Sequence, residues 1–118
     1  MTSNTGPMEQ LAATFMVPAR SGVYLTRNEL LVLARISEAS LRFNERKRMM
    51  VDILRSAQDA DQLVALLERL LEFCVASLAE YQALATAFPT SAPQLQVWMD
   101  KTNATITMLK ETQEEIRL

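Results

Sequence analysis

The stretch 26–57 is apolar on two opposite sides of what reads as one helix. Val32, Ile36, Ala39, Phe43, Met50, Ile53 and Ala57 recur at helical steps and form one stripe. Leu30, Ala34 and Leu41 fall about half a turn away, at about 100° per residue. Leu30, Leu33 and Leu41 cannot all share the face of Val32, Ile36 and Phe43, so such a helix needs cover from behind as well as a core in front. This doubled face predicts a homodimer or a bound partner.

The flanking pattern is helical throughout. Met8, Leu11, Ala12, Phe15 and Met16 follow helical spacing until Pro18 forbids continuation, which makes a short amphipathic arm. Such an arm is too short to stand alone. It either docks on a partner or covers the end of the bundle. Residues 1–7 are small and polar and are expected to be disordered, and Pro18 and Gly22 make residues 17–25 an irregular connector.

Thr26-Arg27-Asn28-Glu29 is a capping box, with Leu25 and Leu30 placed as a hydrophobic staple around it. Asp59 and Asp61 are both suitable N-caps for a second helix. A hairpin break near 57–61 is expected, although the stripe also continues without interruption through Val64, Leu67, Leu71, Cys74, Leu78, Tyr81 and Phe88. Residues 62–88 are the most apolar segment and should be central. After Pro89 and Pro93, Ser91 and Gln94 form a second capping-box pattern. The last helix carries the heptad Leu95, Met99, Thr102, Ile106, Leu109, Gln113 and Ile116. Its two polar core positions suggest looser packing. The expected fold is all-α: an antiparallel bundle of three main helices (27–57, 61–88, 92–117) with an N-terminal arm, paired as a homodimer.

Composition narrows the picture. The chain has 118 residues, enough for one helical domain, and two Gly and four Pro leave long uninterrupted segments. With a net charge of −2, it has no general attraction to nucleic acid. Residues 26–57 carry seven basic and four acidic side chains, against one and five in 58–88, which suits an antiparallel pair. A single cysteine allows no internal disulfide, and the first ten residues lack a signal-peptide pattern. The apolar run 63–79 is interrupted by Glu68, Arg69 and Glu72, so a cytoplasmic protein with no membrane span is expected.

Candidate chemistry is sparse. Without histidine, Ser-His-Asp and Cys-His systems are excluded, as is the Glu-x-x-His pairing of di-iron bundles. Cys74 lies on a leucine-flanked stripe and is expected in the core. Glu68 and Glu72 share a helix face but read as a solvated acidic face, so no cofactor and no metal is expected. Arg42, Arg46, Lys47 and Arg48 form a basic band that is either solvated and paired internally or faces an acidic partner. Met50 and Trp98 are expected to pack in the core, whereas Leu11, Phe15, Met16, Tyr24, Leu30, Leu33, Leu41, Arg42 and Arg46 are the candidate partner or dimer surface.

In size, in its capped helices at Thr26–Glu29 and Ser91–Gln94, and in its Ala/Leu/Arg-rich segments, the chain resembles the small all-helical bacterial antiactivators of quorum-sensing regulators, of the TraM or QslA kind. The resemblance implies a non-enzymatic regulator that binds the ligand-binding domain of a LuxR-type transcription factor and stops it dimerising on DNA. It carries over no single family residue. An export chaperone or secretion adaptor, also small, acidic and helical, is the alternative. An enzymatic or ligand-binding bundle lacks the converging polar groups it needs.

Overall fold

The computed structural model describes residues 7–37 and 45–118, and all secondary structure among them is helical. The order is α1 (Pro7–Phe15), α2 (Pro18–Ser21), α3 (Arg27–Ala34), α4 (Arg46–Arg55), α5 (Ala60–Ala87) and α6 (Ala92–Arg117). Arg35–Ser37 and Pro89–Ser91 are single 3₁₀ turns.

The expected helix 27–57 is therefore two elements. α3 closes in the 3₁₀ turn at Ser37, and α4 starts afresh after Glu45, whose backbone is extended. This dissolves the doubled face. Each short helix has one core stripe of its own: Leu30, Leu33, Ala34 and Ser37 on the first stretch, Met49, Met50, Ile53 and Leu54 on α4. Val32, assigned above to the main stripe, is 41% exposed, because the stripes of two separate helices need not share a register.

The caps at the start of α3 and α5 form as expected. Glu29 N–H donates to Thr26 Oγ1 at 3.1 Å, and Thr26 N–H donates to Glu29 Oε1 at 2.9 Å. Leu25 and Leu30 close the staple in the core. Asp59, not Asp61, caps α5 by accepting from Gln62 N–H at 2.8 Å. The chain thus breaks at 56–59, and one helix running from 27 to 88 does not occur. Ser91 makes no capping bond. It donates its N–H to the Phe88 carbonyl at 2.9 Å inside the 3₁₀ turn, a helical conformation unlike the extended one an N-cap requires.

α5 and α6 pack along each other as a long antiparallel hairpin, while α4 lies on α1 and α3 rather than along α5. The three-helix arrangement of the charge argument is thereby replaced. Among the described residues, α4 pairs Arg48 with Asp52 within the helix and Arg55 with Glu9 of α1. Side chains of α1, α3, α4 and the lower hairpin meet in one core, which includes Phe15, Leu33, Met50, Ile53, Leu66, Leu70 and Leu109. α1 is part of this core rather than a free arm.

The connector between α2 and α3 is tied to the hairpin by polar bonds. Thr105 Oγ1–H donates to the Ser21 carbonyl at 2.8 Å, and Thr102 shares its hydroxyl proton between the carbonyls of Trp98 (2.9 Å) and Gly22 (3.2 Å). The Tyr81 hydroxyl donates to the same Gly22 carbonyl. On α6, Gln113 Nε2 donates to the Val64 carbonyl and Glu68 Oε1, each at 3.2 Å. The two polar heptad positions are therefore paired in the packed interface, and the loose packing expected of them is absent.

Gly22 sits at φ +76°, where L side chains are disfavoured, and a Cβ there would lie 2.3 Å from Thr102 Oγ1 and 2.8 Å from Thr102 N. Gly22→Ala combines left-handed backbone strain with overpacking against α6, each about 1–3 kcal/mol. It is expected to lower unfolding stability by about 2–4 kcal/mol, read as a drop in urea midpoint at unchanged m value.

Candidate functional site

The nine residues proposed as a partner surface separate into three groups. Phe15, Met16, Leu30 and Leu33 are buried in the core, so their cover is this chain itself and they offer no outward face. Leu41 and Arg42 lie outside the described residues. Leu11, Tyr24 and Arg46 remain accessible in part.

Tyr24 and Arg46 are brought together. The guanidinium of Arg46 lies 4.2 Å from the centre of the exposed Tyr24 ring, a cation–π contact across the α3–α4 region. Arg46 Nη1 is buried without a hydrogen-bond partner among the described residues. Of the alternatives open to the basic band, Arg46 thus has an internal contact, stacked within the chain. Leu11 lines a groove of about 450 Å³ with Met8, Leu63, Leu67, Met108 and Ile116, where α1 crosses the open end of the hairpin.

A surface not anticipated above lies at the other end of the hairpin. On α5 the last buried residue is Cys74, and on α6 the first is Met99, at the edge of the core. Between them the helices run past the core. Leu84, Phe88, Leu95 and Trp98 line an apolar notch of about 300 Å³, with Ser91 and Gln94 at its rim. Phe88 is 60% exposed. Trp98, expected in the core, is half-buried here, with Lys101 Nζ 4.9 Å from its ring centre. The signal was present in the spacing: 84 and 88 on one side of the proline turn, 95 and 98 on the other. It was masked by the assumption that so apolar a segment must be central.

Reactive groups are few. Burial pushes the Cys74 thiol up to about 12. The Tyr81 hydroxyl is also raised, first by burial and then by the charge of Glu80, so it stays a donor to Gly22. Glu68 accepts from Gln113, and Glu72 pairs with Arg69. Among the described residues no three His, Cys, Asp or Glu side chains converge as metal ligands, and no helix is long and apolar enough to cross a membrane.

No protein family, characterised protein or solved structure matches this chain.

Cys74 supplies a check on the core. A thiol reagent at pH 8 should leave it unmodified in the folded protein and label one equivalent after unfolding in denaturant. The unfolded thiol ionises near 9.0 and the folded one only near 12. The unfolded state therefore releases its proton first, and stability should fall as pH rises from 9 towards 12, measured by urea unfolding.

Proposed function

We propose that this protein is a non-enzymatic protein-interaction regulator of the cytoplasm, a small helical homodimer that binds and masks a surface of a larger protein. The uncovered apolar end of the α5/α6 hairpin is the observation that carries this reading. An all-helical chain of this size has enough apolar residues to close its core, yet Leu84 and Phe88 are left facing water. Burying a side chain of this kind fully contributes about 1.5–3 kcal/mol, so an exposed pair beside a notch favours a bound partner over a free surface.

The notch suits an apolar anchor from a folded partner, such as a helix offering side chains at i and i+4. Phe88 and Trp98 are the aromatic contacts around which such a site is built, with Lys101 and Gln94 as its polar edge. A transcription factor's dimerisation face is the partner implied by the resemblance to small bacterial antiactivators. Masking that face needs binding alone, which fits a chain with no histidine and one shielded thiol.

Phe88→Ser tests the reading. The site is exposed, so thermal stability should change by no more than about 0.5 kcal/mol. Pull-down from native extract with mass spectrometry should retain a stoichiometric protein on the wild type, with capture reduced at least tenfold by the substitution, about 1.4 kcal/mol or more. Equal capture by the two proteins, or none by either, overturns it.

A further inference from the structure

We infer that two copies of this chain pair through the outer face of the α5/α6 hairpin, the side turned away from the core, to form a four-helix bundle centred on Val75 and Ile106. This rests on the homodimeric reading above and gives it a surface. On α5, Leu66 and Leu70 point into the core. At about 100° per residue, Glu68, Val75 and Ala79 lie half a turn round from them. Along this face runs a groove of about 420 Å³ lined by Glu68, Leu71, Glu72, Val75, Ile106 and Lys110. Val75 is 58% exposed on it, the highest exposure of any aliphatic side chain in the body of either long helix. Ala76, Ala79 and Ala83 are exposed as well, and small side chains let a neighbouring helix come to the close end of the usual 8–10 Å spacing.

Charge decides the occupant. The hairpin register sets Gln113 beside Val64 and Glu68, which places Val75 level with Ile106 and Glu72 nearly level with Lys110. The groove thus carries two carboxylates on α5, Glu68 and Glu72, and one ammonium on α6, Lys110. A two-fold axis along the hairpin lays α5 of one copy over α6 of the other at the same height. Val75 then meets the second copy's Ile106, and Glu72 meets the second copy's Lys110. Each contact occurs twice, as an isologous interface requires. Lys110 has no ion pair among the described residues, and the Glu72 carboxylate, held only by the exposed Arg69, is free to accept a second cation.

The area is sufficient. α5 spans 28 residues, about 42 Å. Two helices of about 10 Å diameter side by side give a face of roughly 800 Å², what each partner contributes to a standard interface. α1 to α4 sit on the opposite face, so they do not obstruct it, and the notch at the tip stays open for the masked protein.

Sedimentation equilibrium at micromolar concentration tests the assignment. Wild type should run at twice the 13.3 kDa chain mass. Val75→Glu should raise the dimer dissociation constant at least about tenfold, with the helical circular dichroism spectrum unchanged. Glu72→Lys should weaken pairing, and adding Lys110→Glu should restore it. A wild-type dimer indifferent to Val75→Glu and to the charge exchange overturns this face and leaves the homodimer standing. A wild-type monomer removes both, while the Phe88-dependent capture still tests partner masking separately.

Discussion

The structure depends on the attachment of the 21–23 connector to the hairpin. Here the chain presents two successive carbonyls, those of Ser21 and Gly22, to three hydroxyls from two helices: Thr105, Thr102 and Tyr81. Apolar contact alone would let α1 to α4 slide over the leucine-rich surface of α5, since such contacts are non-directional. The hydroxyl bonds fix one register. They require backbone to approach backbone, and Gly22 is the residue whose missing side chain permits it. Buried carbonyls without these partners would remain unsatisfied, so attachment and register are one condition.

Much of the fold could be read from local pattern. Thr26 with Glu29, and Asp59 with Gln62, are chemical instructions contained within four residues, and both helices start where these stand. The burial of Met50 and Cys74 followed from spacing alone. What could not be read was set by tertiary context. Periodicity across 26–57 is compatible with one helix or two, because a stripe keeps its period across a break. Leu30 and Leu33 were read as surplus to the core when they are its floor. Thr102 looked like a weakness in a heptad, since its acceptor, Gly22, lies 80 residues away. At the candidate site Tyr24 and Arg46 are both legible as single residues, yet their stacking is a contact between the connector and the start of α4 that sequence spacing does not encode.

The same division explains where function can reside. The lower half of the hairpin is used up in making a core. The upper half is held by its partner helix and, through the Tyr81 hydroxyl on the Gly22 carbonyl, by the connector, while Leu84 and Phe88 at its tip remain exposed. At the tip of that half Leu84, Phe88, Leu95 and Trp98 offer shape and apolar area. The outer face of the hairpin offers area bordered by Glu68 and Glu72 on one helix and Lys110 on the other. The two surfaces lie on different sides of one rigid element, so occupation of one leaves the other accessible.

The sequence separation across the connector also governs how the chain assembles. The hairpin closes through a turn of three residues, Pro89–Ser91, whereas Thr105 reaches its acceptor across 84 residues. Closing a loop of that length carries an entropic penalty of about 4 kcal/mol beyond a constant, several times that of the hairpin turn. Contacts within α5 and α6 are therefore available before the connector has anything to hold. The hairpin becomes the template on which the first half of the chain is ordered, and a nascent chain released before residue 102 has the segment to be fastened but neither of the threonine hydroxyls that fasten it.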